Sequence, residues 1–146
     1  MKRYLSIGTV LFACASLLLA ACGSATSSPE SVDIDRLPKN AEGYADISVQ
    51  QLATLLQAGD LTLVNVHVPY EGEIPQTDLF VPYDEIASHL DELPEKDAPI
   101  VLYCRSGGMS TSAASELAAL GYTNVLEVDG GFNAWKAAGY ELLDNR

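Results

Sequence analysis

Residues Pro99–Gly121, "PIVLYCRSGGMSTSAASELAALG", pass from a near-continuous apolar run, through one cysteine and a loop of small residues, into an alanine-rich stretch. An apolar run with no polar alternation predicts a parallel strand covered on both faces. In sheets built from such strands, ligands bind just past the carboxyl ends, and Cys104 falls at that position. Gly107 and Gly108 let the backbone after it turn through positive φ, so that successive N–H groups converge into an anion-holding nest. The "STSAASELAALG" stretch predicts a helix from about Ser110, with Leu117 and Leu120 facing inward and Gly121 as its stop. A lone cysteine is often a small packing residue, but a thiol facing a nest and a helix N-terminus is held as thiolate and becomes a nucleophile.

Outward from this segment, helical and strand patterns alternate. "YADIS" reads as a strand, and "VQQLATLLQAG" as a helix capped by Ser48, with Leu52, Leu55 and Leu56 facing in and Gly59 as its stop. "TLVNVHV", Thr62–Val68, predicts a strand with Val64, Val66 and Val68 on one face, and "DLFVPY" a short strand. "DEIASHLDELP", Asp84–Pro94, predicts a helix with Ile86, Leu90 and Leu93 inward and His89 on a solvated face. "NVLEVDG", Asn124–Gly130, predicts a strand, and "GFNAWKAAGY" a last short helix ending near Gly139. The alternation implies an α/β fold, three layers with a mostly parallel central sheet. The domain is placed at 44–146, after a Ser-, Pro-, Asp- and Gly-rich spacer at 22–43.

The first 21 residues have the layout of a secretory signal: Lys2 and Arg3, an uncharged run from Tyr4 to Leu19 too short for a comfortable membrane span, then small residues. Leu19-Ala20-Ala21-Cys22 resembles the bacterial lipobox, which makes Cys22 the expected lipidated N-terminus, since more than one acyl chain gives stable anchoring. The expected location is the bacterial cell envelope, with the domain outside the cytoplasm. Cys14 leaves with the signal and Cys22 is acylated, so Cys104 is the one thiol expected in the folded domain and no intramolecular disulfide can form. Without Lys2 and Arg3 the balance is 6 basic against 20 acidic residues, a formal charge of −14, which makes nucleic acid and anionic lipid surfaces poor partners. An anionic substrate therefore needs local positive potential, from Arg105, a helix terminus or backbone N–H groups.

Three motifs then coincide in order. "LYCRSGGMS" resembles the active-site loop of rhodanese-like sulfurtransferases, whose common form is Cys-Arg-Ser-Gly-x-Arg-Ser. "DGGFNAWKAAGY" is similar to that family's C-terminal Gly-Gly-x-x-x-Trp-x-x-x-Gly-Tyr segment. "LTLVNVHVPYEGEIP" stands where the family has a strand ending Asp-Val-Arg, followed by Glu and a Gly-His-Ile-Pro turn. The resemblance covers about Ala45 to Leu143, and three motifs together are far more specific than one. It implies a rhodanese-like fold and a ping-pong transfer in which Cys104 takes a sulfane sulfur from a small donor, as a persulfide, and passes it to a thiol acceptor. It implies no metal or organic cofactor, and the chain is read as a monomer. Arg105, Ser106, Gly107, Gly108, Met109 and Ser110 are the residues it assigns to cradling the outer sulfur and the leaving anion.

The departures from the family are local. Asn65 and His67 replace Asp and Arg together, which suggests a compensated pair, and with Glu71 they are the expected supporting residues. Met109 stands where many members carry arginine or threonine, which weakens the case for thiosulfate and favours an organic persulfide or polysulfide. A Cys-x5-Arg phosphatase is disfavoured because Ser110 occupies the arginine position. A non-catalytic rhodanese-like module, binding a protein or carrying sulfur, is the rival reading from another class. His67 with Glu71 and Glu73 is thin evidence for a metal site.

Overall fold

The computed structural model describes residues 31–144, so the signal, the lipobox and Cys22 lie outside the described residues. Five strands form one parallel sheet: β1 Ala45–Ile47, β2 Thr62–Asn65, β3 Leu79–Phe80, β4 Ile100–Tyr103 and β5 Val125–Val128, in the spatial order β1-β5-β4-β2-β3. Helices α1 Val49–Ala58, α2 Gly108–Ala119 and α3 Gly131–Ala137 complete the α/β architecture. The "PIVLYC" run supplies β4 at the centre, with all four of its strand residues buried.

The two faces of the sheet carry separate cores. On one, Val64, Val66, Leu102, Cys104 and Val125 pack against Ala113, Ala114 and Leu117 of α2 and against Ile86 and Leu93. On the other, Ile47, Leu63, Val101 and Leu126 pack with Leu52, Leu55 and Leu56 of α1 and with Phe132 and Trp135 of α3. Side chains alternate across a strand, so a double-sided β4 sends Leu102 to one core and Tyr103 to the other. The Tyr103 hydroxyl accepts the Ile74 N–H at 3.0 Å and bonds Thr77 Oγ1 at 2.7 Å. Because Thr77 donates to the Ile74 carbonyl, the phenol is the donor of that second bond. It pins the loop between β2 and β3 to the centre of the sheet.

Local rules are obeyed at α1, where Ser48 and Gln51 form a reciprocal capping box and Gly59 ends the helix at φ +82°. Three expectations are corrected. The Asp84–Pro94 segment is not an α-helix: it forms a short 3-10 turn at Ile86–Ser88, held by i to i+3 bonds such as Ser88 N–H to Glu85 O and His89 N–H to Ile86 O. Tight turns already bury Ile86 and Leu93, and so short a segment gains little from helix propensity alone. The Thr62–Val68 strand stops at Asn65, where the side chain, not a neighbouring strand, accepts the His67 N–H. Leu120 points outward rather than in. The inner face of α2 is Ser110, Ala113, Ala114 and Leu117, and the helix closes at Leu120 itself.

Upstream of the expected domain start, Val32, Ile34 and Leu37 pack against the core that contains α1 and α3, and Ile34–Arg36 form a 3-10 turn. His89 lies on the solvated face expected for it, between Glu85 and Glu92.

Candidate active site

Cys104 leaves the sheet immediately after β4, and the chain turns at Gly107, whose φ of +105° is a conformation that favours glycine. Helix α2 begins at Gly108, so its first N–H groups face back toward the cysteine. Sγ accepts the Gly107 N–H at 3.1 Å and lies 3.4 Å from Ser110 Oγ. Burial pushes the Cys104 thiol up, but bonds from the Ser110 hydroxyl and from the N–H groups of Ser110, Ser106 and Gly107 outweigh it, leaving the thiol below its ordinary range. The turn through positive φ falls on Gly107 alone, Gly108 being the first helical residue, and the loop gives Sγ the backbone N–H groups and the one hydroxyl that favour its ionised form.

The loop is seated from behind. The N–H groups of Phe132 and Asn133, at the start of α3, donate to the carbonyls of Cys104 and Arg105 at 2.9 and 3.0 Å. Gly131 lies so close beneath them that a Cβ there would fall 2.1 Å from the Cys104 carbonyl oxygen. The Gly-Gly segment near the C-terminus is therefore the floor of the cysteine loop.

In front of the thiol opens a cleft of about 370 Å³, lined by His67, Tyr83, Cys104, Arg105, Met109 and Ser112 among others. A larger groove of about 480 Å³, between Ser31–Leu37 and α1, contains no cysteine or histidine. His67 is almost fully buried, its Nε2 2.8 Å from Glu71 Oε2, while its Nδ1 has no hydrogen-bond partner. Arg105 Nη1 donates to the same Glu71 oxygen at 3.1 Å. The His67 hydrogen bond holds the Glu71 carboxyl below its usual value against partial burial, and the Arg105 charge adds to the effect. Part of the cation expected to draw anionic donors is thus already matched by Glu71.

Asn65 and His67 form one local unit, although their side chains do not pair with each other. Asn65 Oδ1 accepts the His67 backbone N–H and its Nδ2 donates to the Gly72 carbonyl, both at 3.0 Å. This arrangement shapes the loop that presents Glu71 to Arg105. Two residues of the site were not anticipated. Tyr83 joins Met109 on the apolar side of the cleft. Glu127 of β5 is buried behind the loop, with Oε1 2.5 Å from Ser110 Oγ. A carboxylate inside the otherwise apolar "VLEV" was the signal available for it.

A doubly covered parallel sheet with a cysteine loop at the end of its central strand, giving way to a helix N-terminus, is an arrangement suited to nucleophilic thiol chemistry, and the comparisons with known proteins narrow it. The chain belongs to the rhodanese-like domain family, whose sequence profile matches residues 48–138. It is 37% identical over 92 residues to a sulfurtransferase of Allochromatium vinosum, covering 61% of this chain and 84% of that protein. It is 35% identical over 104 residues to the thiosulfate sulfurtransferase GlpE of Pseudoalteromonas translucida, covering 69% of this chain and 97% of that one. The crystal structure of a rhodanese-like domain protein from Staphylococcus aureus superposes with a TM-score of 0.58 at 28% identity, covering 69% of this chain and 97% of that chain.

Proposed function

We propose that this protein is a sulfurtransferase whose donor is an organic persulfide or polysulfide in preference to thiosulfate. The observation that carries the reading is the Cys104 thiol, held below its ordinary pKa by the Gly107 N–H and the Ser110 hydroxyl at the mouth of an open cleft. Cys104 thiolate attacks the sulfane sulfur, a new S–S bond forms, and the donor's own S–S bond breaks with the electron pair leaving on its remaining sulfur. An acceptor thiolate then attacks the outer sulfur of the Cys104 persulfide, and Cys104 departs as thiolate. Electrons balance without an external oxidant or reductant. Backbone donors of the loop meet the negative charge as it moves to the outer sulfur.

Donor preference follows from the walls of the cleft. Arg105 is matched by Glu71, and Met109 with Tyr83 gives an apolar side that rewards an organic substituent. The test is intact-mass analysis after donor treatment: a gain of one sulfur, larger with persulfide or polysulfide than with thiosulfate, is expected. No adduct with any sulfane donor would overturn the enzyme reading and sulfur carriage alike, and leave only a protein-binding module.

Met109→Arg adds a positive charge at that wall. One extra exposed charge pair contributes at most about 1 kcal/mol, a factor of roughly five, so thiosulfate turnover rises up to several-fold while the persulfide rate stays level or falls. An unchanged thiosulfate rate would place the anion elsewhere.

The reading includes a lipid anchor at Cys22, supported by Leu19-Ala20-Ala21-Cys22 after an apolar run. Among the described residues no helix is long and apolar enough to cross a membrane. In a bacterial host the chain is expected in the membrane fraction, and Cys22→Ser moves it out of that fraction; a variant that stayed there would contradict the anchor.

A further inference from the structure

Glu127 is a carboxylic acid buried in the middle strands of a sheet, and neither the sulfur-transfer steps nor the family motifs use it. It faces β1 through its register partner Asp46, the end of its own strand through Asp129, and β4 through Leu102. The oxygens of Asp46, Glu127 and Asp129 lie within 4.8 Å of one another, and Asp46 and Asp129 are exposed. From α2 and the cysteine loop it meets Gly107 and Ser110, neither of them charged, and beyond Ser110 the titratable Cys104. No cation is among these neighbours. Burial, together with the charges of Asp129 and Asp46, raises the Glu127 carboxyl to about 7 despite its bond with Ser110.

Ser110 Oγ has three neighbours that can accept its hydrogen bond: Cys104 Sγ at 3.4 Å, the Gly107 carbonyl at 3.1 Å and Glu127 Oε1 at 2.5 Å. A hydroxyl has one hydrogen to give. When Glu127 is ionised, the carboxylate is the strongest acceptor and takes that hydrogen, and Sγ loses its side-chain donor. When Glu127 is protonated, its own O–H donates to Ser110 Oγ, and the serine hydrogen is free for sulfur. The two ends of the Ser110 bridge therefore prefer opposite protonation states.

We infer that Glu127 and Ser110 form a proton relay that couples the ionisation of Cys104 to that of Glu127, with Glu127 as a positioning residue acting through the serine hydroxyl. In the relay the Sγ–H bond breaks as the thiol proton passes to Ser110 Oγ, and the serine's original proton passes to Glu127 Oε1. Cys104 becomes a thiolate, Glu127 a neutral acid, and Ser110 is unchanged in composition. The proton returns by the same path when the thiol re-forms.

The inference rests on Cys104 being the nucleophile proposed above, but its test reads protonation and not sulfur transfer, so either can fail alone. In the full chain, alkylation of Cys104 by iodoacetamide is followed against pH, with the site resolved by peptide mass spectrometry. In the wild type the two coupled groups give a broad profile. Glu127→Gln keeps a donor toward Ser110 and cannot ionise, so the profile becomes a single step displaced by about one pH unit to lower pH, a tenfold gain in thiolate fraction on its rising limb. In a Ser110→Ala background the same substitution produces little displacement. An unchanged profile for Glu127→Gln, or an equal displacement without Ser110, overturns the relay. The wild type gives an answer if the variants fail to fold: alkylating Cys104 near neutral pH removes the thiolate, releases the Glu127 proton, and reduces the infrared band of a buried carboxylic acid. No change in that band overturns the inference equally.

Discussion

Gly131→Ala is expected to lose both stability and sulfur uptake. The added Cβ would sit 2.1 Å from the Cys104 carbonyl oxygen and 2.8 Å from the Arg105 carbonyl carbon, backbone atoms that no rotamer change can move aside. The residue also has φ +54°, where a side chain costs roughly 1–2 kcal/mol. Overpacking adds about 1–3 kcal/mol, a large share of the ~5–15 kcal/mol that holds a domain together. Relief requires the cysteine loop to lift off α3, breaking the Phe132 and Asn133 bonds that aim its carbonyls. Gly59→Ala is the control, because Gly59 has φ +82° but nothing within 4 Å of its Cβ. It should lose only about 1 kcal/mol and keep full uptake. Denaturant midpoints and the yield of sulfur adduct measure both variants, and near-native behaviour of Gly131→Ala would refute the account of the loop floor.

Cys104→Ser should abolish the sulfur adduct and reduce turnover to the uncatalysed background, with the melting temperature nearly unchanged. A serine oxygen can accept the Gly107 N–H that now reaches Sγ, so the loop keeps its shape. What is lost is chemical: a hydroxyl is scarcely ionised at neutral pH, and among the described residues no histidine is hydrogen-bonded to this position, whereas the thiol is already held below its ordinary value. Intact mass after donor treatment, beside a melting curve, separates lost chemistry from lost fold. An adduct on the serine variant would move the reaction away from this loop.

The central strand, α1 with its caps, the turn at Gly107 and the position of Cys104 were legible in the sequence because each is dictated locally. An apolar run, a serine N-cap and glycines that permit positive φ require no knowledge of the rest of the chain. The 84–94 segment departs from its expected helix for the opposite reason: its apolar spacing suits a helix and a series of 3-10 turns equally, and the packing of Ile86 and Leu93 decides between them. Leu120 follows the helical period of Leu117, but the period ends with the helix. Glu127 and Tyr83 meet the cysteine loop only because β5 and the chain after β3 are brought beside it. Gly131, by contrast, lies inside the Gly-Gly motif of "DGGFNAWKAAGY", and the close contact that gives the glycine its purpose appears only in three dimensions.

The packing of Val32, Ile34 and Leu37 onto the domain sets a length scale for its surroundings. A spacer running to residue 43 would let a domain anchored at Cys22 range roughly 75 Å from its lipid at full extension. With the chain packed onto the domain from Val32, the span back to Cys22 is at most roughly 30 Å. A sulfur acceptor for an anchored form must then come to the membrane surface to be served.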